Sequence, residues 1–222
     1  MTLNSKQFEA VLRITETINA GRTLDEVLDY AYETLHEIIP YDRIGFSLLE
    51  EDDTIVRARW ARSEAPILKI KAGYQALLKG SSLEQIIKTQ APRILNDLQN
   101  YFKDHPHSSS TRDILEEGMR SSLTCPLIAL GKPIGFIFFS SMKTNAYRHV
   151  HVEFFQKIAG QLSLIAEKSR LYQQLLELND LKNKFLGMAA HDLRNPIAVI
   201  KGYADLFGEE LLGSVSEKQK EP

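Results

Sequence analysis

Cysteine is almost missing from this sequence. Cys125 is the only one in 222 residues, so no disulfide can form within the chain and no thiolate metal cluster is expected. Long apolar runs are missing too. The most apolar stretch, 123–139, is broken by Pro126 and by Gly131-Lys132-Pro133. It reads as two strands and a turn, not a membrane span. There is no basic block: 27 Lys and Arg against 29 Asp and Glu leave a net charge of -2. That balance gives no ground for a nucleic-acid partner. The N-terminus carries Asn4, Lys6 and Glu9 in place of an apolar signal segment. A cytoplasmic protein without a membrane partner is therefore expected.

What the sequence does contain is a long heptad. Ile158, Leu162, Ile165, Ser169, Tyr172, Leu176, Asn179, Asn183, Leu186, Ala190, Leu193, Ile197, Ile200, Ala204, Phe207 and Leu211 follow one another by four and three residues. A sustained 3.5-residue period means a coiled coil or a bundle. One small domain cannot bury such a seam, so a parallel homodimer is expected. Only Ser169, Asn179 and Asn183 are polar. The two asparagines either set register or, with Leu178 and Asp180, mark a helix end.

Inside this heptad, residues 185–196 read FLGMAAHDLRNP. His191 falls beside seam residue Ala190, at an outward position. Neutral imidazole is a good nucleophile near pH 7, since its unperturbed pKa is about 6.5. A carboxylate such as Asp192, holding one ring N–H, leaves the other nitrogen free to attack a phosphoryl group. Asn195 lies one turn on, on the same face. Pro196 removes an N–H from the helix and should kink it. These residues resemble the H-box of two-component sensor histidine kinases: His191, Asp192, Asn195 and Pro196 match in place, and Phe185 matches the preceding aromatic. The resemblance implies that His191 is the phosphoacceptor, that Asp192 assists transfer, and that Asn195 orients water during dephosphorylation of the partner. It also implies a response regulator receiver domain as partner, and ATP with Mg in a kinase domain missing from this chain. No Asn-containing or Gly-rich ATP-lid motif follows the phosphotransfer helix, and residues 214–222 read as a polar loop cut short, so the chain is expected to be inactive alone.

The N-terminal part reads as an α+β domain. A helix at 3–19 is stopped by Gly21, and Thr23 with Glu26 forms a capping box for a second helix ended by Pro40. Ile44–Leu49 and Thr54–Ala61 form a hairpin. Residues 62–80 give no clear pattern. A short helix follows at 82–88, then a strand at 92–95. Residues 96–110 read as a polar loop, with a helical turn at 113–117. A second hairpin turns at Gly131-Lys132, and the long helix starts near Tyr147. Residues Gly118 to Leu123, Cys125-Pro126-Leu127 and Pro133 to Ile137, with Tyr41-Asp42-Arg43 and Ala91-Pro92 upstream, resemble a GAF domain. The resemblance implies a GAF-like antiparallel sheet flanked by helices. The expected domains are an N-terminal dimerisation helix at 1–20, the sensor at 21–167, and a signalling helix running into the first phosphotransfer helix at 168–222.

GAF domains bind many ligands or none, so the ligand is unknown. Trp60, Tyr74, Tyr101, Phe102 and Phe138 either line a small-molecule pocket or simply fill the core. Bilin-binding relatives attach pigment through Cys-His, whereas Cys125 precedes Pro126 and reads as a buried thiol. His105, His107, His149 and His151 qualify as haem ligands by type alone, and no metal or cofactor is expected in this chain. Three functions compete: the sensor and phosphoacceptor part of a histidine kinase, a ligand-binding or dimerisation module without phosphotransfer, and a phosphodonor served by a separate kinase.

Overall fold

The computed structural model describes residues 5–50 and 52–208. Heptad residue Leu211, the tail at 214–222 and Glu51 of the first turn lie outside them. The chain divides into two units, 1–169 and 170–222.

The first unit opens with α1 (Ser5–Asn19), ended at Gly21, whose φ of 76° suits glycine. One face of the helix, with Ala10 and Ile14, sits in the core of this unit, while Phe8 and Leu12 are exposed. Thr23 caps α2 (Leu24–Thr34), with the reciprocal bond from Glu26 in place. The α-helix ends at Thr34, short of Pro40, and a 3-10 turn at Leu35–Glu37 follows. The tighter turn rotates the chain, so Ile39 is buried and Ile38 only half-buried.

Six strands form one antiparallel sheet: β1 (Arg43–Glu50), β2 (Ile55–Ser63), β3 (Gln75–Leu77), β4 (Arg93–Leu95), β5 (Ser121–Ala129) and β6 (Lys132–Ser141), in the order β3-β2-β1-β6-β5-β4. The unreadable segment 62–80 thus supplies an edge strand. The second hairpin turns at Leu130-Gly131, both at positive φ, one residue earlier than the sequence suggests. Lys132 already belongs to β6. Alternation of side chains splits the sheet into two faces. Ile44, Phe46, Cys125, Leu127, Ile137 and Phe139 pack on the helical side with α1, α2 and the start of α6 (His149–Gly208). Leu49, Val56 and Phe136 pack on the other side with Leu78 and Ile86, the latter from α3 (Leu83–Thr89).

Much of the expected polar loop at 96–110 is helical: α4 (Leu98–Asp104) is capped by Asp97, and α5 (Ser109–Glu116) by Ser108. Each cap oxygen accepts the backbone N–H three residues on, which satisfies groups that a short helix otherwise leaves open.

The start of α6 is tied to the sheet by polar clamps. The Asn96 side chain donates to the Tyr147 carbonyl at 3.0 Å and accepts from its N–H at 3.1 Å. Before that, Asp42, just ahead of β1, fixes the end of β6, accepting from the Ser141 hydroxyl and the Met142 N–H. The Ser163 hydroxyl accepts the Ile128 N–H at 3.0 Å. Ile158, Leu162 and Ile165 are buried in the core of the sensor unit. The first heptad positions therefore pack within the domain and do not open a coiled-coil seam.

β1 and β6 approach closely at Gly135. A Cβ there would stand 2.1 Å from the Ser47 carbonyl oxygen, a backbone atom. Gly135→Ala is expected to destabilise the sensor domain by about 3 kcal/mol, a fall in Tm of roughly 6–12 °C by calorimetry. An unchanged Tm would show that the strands can part at no cost.

Candidate functional site

The second unit presents the H-box on α6. Apolar residues along this stretch are exposed, among them Phe185, Leu186, Leu193 and Ile197. His191 and Asp192 are also open to solvent, with side-chain exposures of 70% and 81%, so a bulky phosphoryl donor can reach the ring. His191 Nδ1 lies 3.3 Å from Asp192 Oδ1. With the proton on Nδ1 the ring donates to Asp192, and the Nε2 lone pair faces outward. Asn195 stands one helical turn further on, also exposed. Pro196 lies within α6, and helix continues on both sides of it. Its missing N–H leaves the Asp192 carbonyl without its helix partner.

In the first unit each of the five candidate aromatics has its own local contacts. Trp60 packs on the helical side, with its ring edge toward Tyr32 at 6.4 Å. Phe138 is on the opposite side, 5.8 Å from Phe136. The Tyr74 hydroxyl engages Ser109 and Asp113 of α5, and burial raises its pKa. Tyr101 stacks on His105 at 4.1 Å and lies under the Arg93 guanidinium. Phe102 is half-buried on α4. Burial pulls the Arg93 guanidinium below its ordinary value, and Arg93 Nη1 donates to the Ser82 carbonyl at 3.2 Å.

Sequence reasoning missed a buried ion pair on the sheet. Arg43 of β1 and Glu117 at the end of α5 form an ion pair at 2.8 Å, with side-chain exposures of 3% and 0%. Burial lowers the Arg43 pKa and Glu117 opposes that shift. The only local signal was Gly118, whose φ of 94° lets the chain turn away just after Glu117.

Cys125 is buried on the helical side of the sheet, and burial pushes its thiol pKa well up. The histidines have local roles: His105 Nδ1 meets the Tyr101 carbonyl at 3.0 Å, and His151 Nδ1 accepts from the Arg148 N–H. Among the described residues, no three His, Cys, Asp or Glu side chains cluster as a metal site, and no helix is long and apolar enough to cross a membrane.

Comparison with solved structures returns GAF folds. A phycocyanobilin-bound GAF domain from a cyanobacterial phytochrome aligns with TM-score 0.59 at 16% identity, covering 78% of this chain and 98% of that one. The GAF domain of a phosphoenolpyruvate-protein phosphotransferase from Coxiella burnetii gives 0.60 at 15%, covering 76% and 97%. The GAF domain of a two-component sensor histidine kinase from Bacillus halodurans gives 0.57 at 15%, covering 68% and 98%. A search of curated proteins found no match. The family model described as GAF domain matches residues 21–167, and the one described as His Kinase A (phospho-acceptor) domain matches 181–221. The chain therefore belongs to the GAF domain family, and a histidine kinase phospho-acceptor segment follows its sensor domain.

Proposed function

We propose that this chain is the sensory and phosphoacceptor part of a sensor histidine kinase, and that His191 carries the phosphoryl group. The observation behind this reading is an exposed His191 paired with Asp192 on a helix, inside the segment matching the phospho-acceptor family. Nε2 attacks the terminal phosphorus of ATP, the bond to the ADP oxygen breaks, and Asp192 holds the Nδ1 proton as positive charge grows on the ring. ATP with Mg2+ would be bound by a kinase domain. The phosphoryl group then passes to an aspartate of a response regulator receiver domain, and Asn195 orients water when that receiver is dephosphorylated.

The seam beyond Ser169 pairs two copies in parallel, and the protein works in the cytoplasm. Pro196 acts as a bending point: the freed Asp192 carbonyl is one residue from His191, so a bend there moves the acceptor ring. The sensor domain biases that bend only through a signal that prefers one state. The reading is tested by mixing the purified chain with a competent histidine kinase catalytic domain and labelled ATP. Acid-labile, base-stable label on the chain supports it. A chain that stays unlabelled while a known phosphoacceptor is labelled in the same mixture leaves a GAF ligand-binding or dimerisation module.

A further inference from the structure

The buried ion pair is built like a receptor for an anion. Glu117 Oε1 accepts the consecutive backbone N–H groups of Lys69 and Ile70, both at 2.8 Å. Its Oε2 is 2.8 Å from Arg43 Nε. Arg43 Nη2 donates to the Ile70 carbonyl at 2.7 Å, which holds the guanidinium against the same segment. Gly45 makes room: a Cβ there would come within 2.6 Å of Arg43 Nη1. All the donors come from β1 and the segment joining β2 to β3. The carboxylate comes from a third element, at the end of α5.

The fit of that carboxylate is incomplete. Arg43 Nε and Glu117 Oε2 are close enough for charge attraction, yet both lack an aligned hydrogen bond. A guanidinium and a carboxylate free to orient form two parallel bonds. No fork forms here: Glu117 Oε1 is taken up by the Lys69 and Ile70 N–H groups, and Arg43 Nη2 by the Ile70 carbonyl.

We propose that Arg43 and the N–H groups of Lys69 and Ile70 form a binding site for a small monocarboxylate, filled in this state by Glu117 as an internal ligand. A free carboxylate of the size of formate or acetate takes this place once the Glu117 side chain is gone. α5 then stays held to the segment by the surface pair Lys69–Glu116 and by the Tyr74 hydroxyl against Ser109 and Asp113. This site is separate from phosphotransfer at His191. The tether gives Glu117 a high effective concentration, so the wild-type chain resists exchange and the site is exposed by removing the internal ligand.

The test uses the full chain with Glu117→Ala, titrated with sodium acetate or sodium formate against sodium chloride at equal ionic strength. Amide exchange at Lys69 and Ile70 is expected to speed up at least about tenfold in the variant, through loss of bonds to a charged acceptor. Acetate should reverse this and raise the thermal midpoint, while chloride should not. Arg43→Met combined with Glu117→Ala should not respond. Glu117→Gln should not respond either, because its amide still fills the site. If Glu117→Ala is unfolded in chloride, recovery of the native circular dichroism with acetate becomes the readout. An acetate effect no larger than that of chloride, or an equal response in the double variant, overturns the proposal.

Discussion

His191→Gln abolishes labelling of the chain by a kinase domain supplied in trans. Glutamine approximates the length of histidine and can still hydrogen-bond, but its amide nitrogen has no lone pair to attack phosphorus. The fold should not suffer. The His191 ring is exposed, and exposed helix substitutions stay within about 0.5 kcal/mol. Circular dichroism and the thermal midpoint should therefore match the parent chain while phosphorylation is lost. Asp192→Ala is a graded companion. It leaves the nucleophile and removes the group 3.3 Å from Nδ1, so transfer slows by roughly the 10²–10⁴ expected of a positioned acid–base partner, read as the initial rate of labelling. Label retained in His191→Gln at the parent rate would place the acceptor elsewhere.

How far the sequence could be read depends on the range of the interaction involved. The cap at Thr23 and Glu26 spans three residues, and both of its bonds appear as expected. The H-box could be read because helix periodicity alone sets its residues one turn apart. The caps at Asp97 and Ser108 were as local, but the short helices behind them are rich in polar residues and carry little apolar pattern, so a loop was the natural reading. The Arg43–Glu117 pair joins a strand to a helix far along the chain, and no periodicity announces it. The heptad was visible, but a 3.5-residue repeat does not say what fills it. Ile158 faces its own sheet, whereas Leu193 has no cover among the described residues.

That difference separates two substitutions of identical chemistry. Leu193→Asp is expected to convert a homodimer into a monomer and leave the sensor domain folded. Leu193 is 60% exposed in a single chain, so a carboxylate there is hydrated in the monomer and desolvated only in the paired seam. An unpaired charge at a seam costs about 3–5 kcal/mol, which weakens association by two to three orders of magnitude or more, at about 1.4 kcal/mol per tenfold. Light scattering at micromolar concentration should show the mass halve while the thermal midpoint of the sensor domain holds. Leu186→Asp should behave alike, being 55% exposed on the same seam. Ile158→Asp should do the reverse. At 1% exposure within the sensor core, its carboxylate has no hydrated state short of unfolding, so the sensor midpoint should collapse whatever happens to the helix beyond Ser169. A Leu193→Asp protein that keeps the mass of a dimer would mean the seam past Tyr172 does not hold the copies together. The pairing surface would then lie elsewhere, with exposed Phe8 and Leu12 of α1 the first place to test.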